Sequence, residues 1–165
     1  MVFGHHPLTV RDALFPVSPG QRLGRRQARA ILRAYAAAPG VFLHHAGHTH
    51  RNKRTRVPLA PQVTLQEVGA AKEYPSGFFL LRIHSGGYAL NFFRARRTEA
   101  LEWNERSRRQ AGGLWPYHAL GRTVADRNSV AVYDLSGIGR PAQPSAPPRS
   151  PQGMTAVPTP RLDAA

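Results

Sequence analysis

The sequence predicts an α/β fold: a βαβ unit with parallel strands, followed by an antiparallel meander and a second helix. Three observations carry that expectation. Two apolar runs, at residues 2–4 and 41–43, flank a helical pattern, and each runs straight into a cluster of histidines. Two later apolar runs, GFFLLRIH (77–84) and YALNFFR (88–94), are joined by Ser85, Gly86 and Gly87, a hairpin turn signal. A polar, charge-paired stretch with helical periodicity then follows from residue 99 to about residue 110.

Each element has its own justification. The opening MVFGHH reads as a buried strand ending in Gly4, His5 and His6. Residues 7–20 hold Pro7, Pro16, Pro19 and Gly20 and read as a loop, with Ser18 placed to cap the next helix and Pro19 at its first position. Across residues 21–38, Arg22, Arg25, Arg26, Arg29 and Arg33 share one helical face. Leu23, Ala28, Ile31, Leu32 and Tyr35 share the other, and Pro39 with Gly40 ends the helix. That arginine row reads as an ordinary solvated face. Val41, Phe42 and Leu43 begin a second buried strand, parallel to the first through a right-handed crossover. Residues 51–61 read as a basic loop closed by Pro58 and Pro61, and VTLQEVGA (63–70) as a strand. Thr98 is placed to cap the second helix, with Glu102–Arg106 and Glu105–Arg109 as pairs one turn apart. Residues 111–138 read as irregular, with Trp115, Tyr117 and Tyr133 packing back on the body. From Gly139 onward, seven prolines in 27 residues and few large apolar side chains predict a disordered tail.

Composition narrows the chemistry. A chain of 165 residues suits one domain with a real core. It has no Cys, which excludes disulfides, thiolate metal sites and Cys nucleophiles. No stretch approaches the roughly 18 apolar residues of a membrane span. Residues 1–20 lack the basic-then-apolar pattern of an export signal, so a cytoplasmic location is the default expectation, with export of an intact protein left open. The net charge of +14 is uneven: residues 1–60 hold ten Lys or Arg and one acid, Asp12. Only two of the 23 bases are Lys, and they are not interleaved with aromatics as a nucleic-acid platform requires. Nucleic acid is therefore not the expected partner.

Six of eight histidines fall in two clusters: His5 and His6, then His44, His45, His48 and His50. Both lie at the C-terminal ends of the expected parallel strands, where open α/β sheets place their sites. In Gly47-His48-Thr49-His50, residues two apart in an extended segment point the same way. Their imidazoles can converge on one ion or address two ions about 3.5–4 Å apart, with Gly47 permitting a tight turn. Neutral imidazoles suit Zn, Fe, Mn or Ni. Taken singly, His6, His44 and His45 read as packing or surface histidines, and His84 and His118 are isolated and carry no assigned role.

The segments VFGHHPL (2–8) and HAGHTHRN (45–52) resemble the last two metal-binding motifs of the calcineurin-like metallophosphoesterase superfamily, which includes purple acid phosphatases and cyclic-nucleotide phosphodiesterases. The stretch ALEWNERSRRQ, LGRTVADRN, DLSG is similar to C-terminal regions of actinobacterial members. The resemblance spans residues 1–138, leaving 139–165 as the tail. It implies the C-terminal half of a four-layer α/β/β/α sandwich. It also implies that His5 and His48 hold one metal and His50 the other, with two Fe, Mn or Zn ions and a bridging hydroxide attacking the phosphorus of a phosphoester substrate. Arg51, Asn52, Lys53 and Arg54 flank that site and read as a solvated basic loop.

The family's D-x-H, G-D and G-N-H-D/E motifs are absent from this sequence. Two dications need carboxylates to bridge them and offset about four positive charges. Glu67 and Glu73 follow the histidines, and neither replaces a bridging Asp. The expectation is a truncated product (a domain fragment, a mis-assigned start or one half of a split gene), inactive alone, with at best one weakly held ion and, in the split-gene case, a separately encoded N-terminal half as its partner. Two other classes stand beside it: a basic polyanion-binding module and a simple His-rich metal-binding protein.

Overall fold

The two histidine-bearing strands pair directly. In a computed structural model describing residues 1–8, 23–121 and 123–137, β1 (Val2–Gly4) leads through α1 (Arg25–Ala36) to β2 (Leu43–Ala46), parallel to β1 with Gly4 opposite Ala46. Ser18, Pro19, most of the loop expected at 7–20 and the tail from 139 lie outside the described residues. The helix starts at Arg25, later than the pattern predicts. Gly24 is extended at its N-cap, and the Gly24 N–H donates to the Gln27 side chain at 2.9 Å. Leu23, expected within the helix, precedes it and packs against the core.

The expected basic loop at 51–61 is instead a strand. β3 (Lys53–Val57) turns at Pro58 and Leu59 into β4 (Ala60–Glu67) and pairs antiparallel with it, while β4 lies parallel to β2. The strand order is β1-β2-β4-β3. Edge strands carry charge to discourage further pairing, so Lys53, Arg54 and Arg56 conceal β3 from a hydrophobicity reading. β1 is the other edge. It was expected to be buried, yet Phe3 is 64% exposed, because a strand at the rim has a neighbour on one side only.

β5 (Gly77–His84) and β6 (Gly87–Arg94) form the expected hairpin, with His84 opposite Gly87. Gly87 has φ +142°, and a Cβ there would lie 2.0 Å from the Ala131 carbonyl oxygen, so only glycine fits. α2 (Thr98–Ser107) follows. Its N-cap is Arg97, with no side-chain cap from Thr98, and Glu105 pairs with Arg108 at 3.3 Å and Arg94 at 3.7 Å rather than with Arg109. Arg106 lies over the Trp103 ring instead of forming the expected pair. The segment expected to be irregular contains a short α3 (Trp115–Ala119) and β7 (Asn128–Val132), which completes the second sheet in the order β5-β6-β7. Trp115 is buried and Tyr133 half-buried, as expected, but Tyr117 is 81% exposed.

The protein is thus a mixed α/β structure with two sheets and few helices. α1 packs Ala28 and Leu32 on one face of the first sheet, against Ala60, Val63 and Leu65. The other face meets the second sheet through Phe42, Leu43, Tyr88 and Ala131. The outer face of the second sheet, carrying Phe78, Leu80, Phe93, Val130 and Val132, is uncovered among the described residues. Leu43 is fully buried between the sheets. Leu43→Ala is expected to lower stability by about 2–5 kcal/mol, and Val132→Ala on the open face by under about 0.5 kcal/mol; urea unfolding of both variants checks the contrast.

Candidate metal centre

The parallel ladder delivers the two histidine clusters to one rim. Past the last paired residues, the Gly47 N–H donates to the His5 carbonyl at 3.1 Å and locks the two strand ends together. The Thr49 N–H then donates to the Gly47 carbonyl at 2.8 Å, a three-residue turn centred on His48. The sequence places the conformational demand on Gly47. The structure places it on His48, at φ +66°, and on His50, at φ +53°. Left-handed backbone at a non-glycine residue costs about 1–3 kcal/mol and persists only where its surroundings over-determine it.

Those surroundings converge on Glu67, at the end of β4. Its carboxylate accepts hydrogen bonds from Thr49 Oγ1 at 2.6 Å, Arg51 Nε at 2.7 Å and Arg51 Nη2 at 2.8 Å. Both Arg51 and Glu67 are buried, so a bidentate charged pair in low dielectric grips the turn. α3 holds its other side. His118 Nε2 donates to the Thr49 carbonyl at 2.8 Å, and both the main-chain and side-chain N–H of Asn52 donate to the Ala119 carbonyl. Asn52 Oδ1 in turn accepts from the Gly69 N–H at 2.9 Å. Arg51 and Asn52 are therefore internal struts and not the solvated loop expected of them. His118, assigned no role from sequence, is one of those struts. Its burial lowers its pKa, partly opposed by the bond to Thr49.

The predicted site histidines separate into two groups. His5 Nε2 and His48 Nδ1 lie 3.3 Å apart, one imidazole donating to the other. His6 joins them, its ring centroid 4.4 Å from that of His48 and 5.1 Å from that of His5. His50 turns elsewhere and pairs through Nδ1 with Glu73 at 2.9 Å. His44 is a packing histidine, as expected: Tyr35 Oη lies 3.0 Å from its Nδ1, and burial lowers its pKa. His45 lies against Phe3 and is lowered first by burial, then by His44. His84 is exposed at the hairpin end, remote in sequence and role.

Two nitrogens on one tetrahedral ion, each about 2.0–2.1 Å from it, stand roughly 3.3 Å apart. The His5–His48 gap therefore fits a shared ion. Neither nearby carboxylate is placed to bridge that ion to a second, because Glu67 is held by Arg51 and Thr49 and Glu73 by His50. Among the described residues, no three His, Asp or Glu side chains stand as a ready-made metal site. No protein-family model, curated protein or solved structure matches this chain.

Sequence showed no signal for His118 or Thr49 as supports, since each acts through a neighbour's main chain or carboxylate. Glu67→Gln removes the charge facing buried Arg51 and is expected to cost about 3–5 kcal/mol, read as a lowered urea midpoint. A pH effect follows from His44, His45 and His118. Burial holds each of them below the ordinary imidazole pKa of about 6.5, so the unfolded chain binds more protons as pH drops. Stability is whole above pH 6.5 and is lost as pH falls from there through the folded values. Thermal melts at pH 7.5, 6.0 and 5.0 are expected to show a falling midpoint, and a flat profile contradicts the burial argument.

Proposed function

We propose that this chain contributes the histidine wall of a metal-dependent phosphoester hydrolase, the second half of a four-layer α/β/β/α sandwich. The observation that carries this reading is the 3.3 Å approach of His5 Nε2 to His48 Nδ1, at the adjacent C-terminal ends of two parallel strands. His5 and His48 bind one ion, and His50, two residues on, serves a second. Bound metals in such a centre supply a hydroxide nucleophile and neutralise charge on the phosphoryl oxygens.

This chain's own residues do the rest of what the geometry supports. The Arg51–Glu67 pair and His118 fix the His48–His50 turn, and Glu73 accepts the Nδ1 proton of His50. That hydrogen bond fixes the tautomer and leaves Nε2 of His50 as the acceptor nitrogen, as carboxylates behind metal-binding histidines do. The bridging carboxylates come from an acid-bearing segment outside this polypeptide. The face of the second sheet that is uncovered among the described residues, with Phe78, Leu80 and Phe93, supports a layer supplied by that segment.

The polypeptide alone, supplied with Mn, Zn or Fe, is expected to release no nitrophenolate from an aryl phosphate above the rate of the free ions. Turnover that His48→Ala abolishes overturns the claim that the carboxylates lie elsewhere. Turnover restored by adding an acidic companion chain supports it.

A further inference from the structure

We infer that the free edge of β5 is a self-association surface, where two copies of this chain pair antiparallel about Leu80 and join their three-stranded sheets into one. The inference stands apart from the histidine rim and starts from the main-chain groups of β5 that are already used. β5 lies at the end of the second sheet, with β6 as its strand neighbour. One step beyond the Gly77–Arg94 pair, the Ala95 N–H donates to the Ser76 carbonyl at 3.1 Å. Hydrogen-bonded and non-bonded pairs alternate in an antiparallel ladder, so Phe78, Leu80, Arg82 and His84 bond to β6. The Phe92 N–H, which donates to the Arg127 carbonyl on the β7 side, fits the same alternation. The N–H and C=O groups of Gly77, Phe79, Leu81 and Ile83 therefore point away from β6, and no described residue pairs with them.

Proteins ordinarily blunt a strand edge by shortness, charge or a bulge. β1 has three residues, and β3 carries Lys53, Arg54 and Arg56 with a break in register between Thr55 and Val57. β7 has five residues and opens with Asn128 and Ser129. β5 lacks these devices. It runs eight residues without proline or bulge, and its only ionisable side chains are Arg82 and His84. Phe78, Leu80 and Ile83 are exposed along it.

The strand's own sequence selects both occupant and register. With Leu80 facing its counterpart across a twofold axis, Phe78 lies opposite the second copy's Arg82. The aliphatic stem of that arginine covers the ring while its Nη1 stays on Asn91. Phe79 and Gly77 then exchange main-chain hydrogen bonds with the second copy's Leu81 and Ile83, which uses every unpaired position of the edge. Pairing centred on Arg82 sets like charges opposite each other. Pairing centred on Leu81 sets Arg82 against Leu80. Pairing centred on Phe79 sets Ile83 against Pro75, which has no N–H to give. A self-complementary edge closes on two copies, and it leaves the outer face of the sheet free.

Sedimentation of the full chain tests this in about 0.15 M salt, where screening over about 8 Å limits the repulsion between copies. The mass is expected to rise with concentration from one chain to two and no further. Leu80→Lys and Leu80→Glu, at an exposed position, are each expected to abolish association, and an equimolar mixture of the two to regain it. Val130→Lys, exposed on the same face two strands away, is expected to leave association unchanged. In the wild-type chain, amide exchange at Phe79, Leu81 and Ile83 is expected to slow as concentration rises, a readout that depends on no variant folding. A chain that stays monomeric, or exchange at those amides that ignores concentration, overturns the inference. Association lost in Val130→Lys as well overturns it in favour of stacking between the two outer faces. A mixture of folded Leu80 variants that stays monomeric overturns the axis at Leu80.

Discussion

The geometry of the histidine rim depends on one buried carboxylate. Glu67 sits at the end of β4 and grips Thr49 and Arg51, which bracket His50. That grip on one side, and the His118 and Asn52 hydrogen bonds with α3 on the other, hold His48 and His50 in left-handed backbone, which a residue with a Cβ otherwise leaves readily. The turn lies directly beyond β2, and β2 is flanked by β1 and β4. The same sheet therefore presents the first histidine cluster on one neighbour of β2 and the anchor for the second cluster on the other.

This arrangement explains where the scarce acids went. The chain has nine Asp and Glu against 23 Lys and Arg, and the acids packed at the rim serve as struts. Glu67 neutralises Arg51, Glu73 orients His50, and Asp126 accepts from the Arg54 main chain and the Thr123 hydroxyl. A carboxylate held by a guanidinium has its lone pairs occupied and its charge spent, which makes it a poor ligand for a cation. Rigidity of the rim and carboxylate ligation of metal thus compete for the same few residues, and here rigidity has them.

Much of the fold was legible because period and punctuation agree. The apolar runs at 77–84 and 88–94 and the glycine turn between them predict the hairpin to within one residue, β6 starting at Gly87, and the parallel pairing of β1 with β2 follows from the helix between them. What was illegible lies at edges and in borrowed supports. β3 reads as a loop because an edge strand carries charges, and β7 because Asn128, Ser129 and the exposed Val130 and Val132 show no run that demands burial. At the site, the spacing of His5, His48 and His50 was visible, but the division between them was not. Which imidazole faces which partner depends on Glu73, 23 residues beyond His50, and no local pattern encodes that reach.

The position of His6 shows the same limit from the other side. Alternation along an extended strand puts His5 and His6 on opposite faces, and on that rule His6 belongs with packing residues. The rule ends where the strand ends. β1 stops at Gly4, so the two histidines lie in the bend beyond it, where alternation no longer applies and both rings reach His48. A single terminated ladder is therefore what turns a pair of histidines of opposite facing into neighbours at one site.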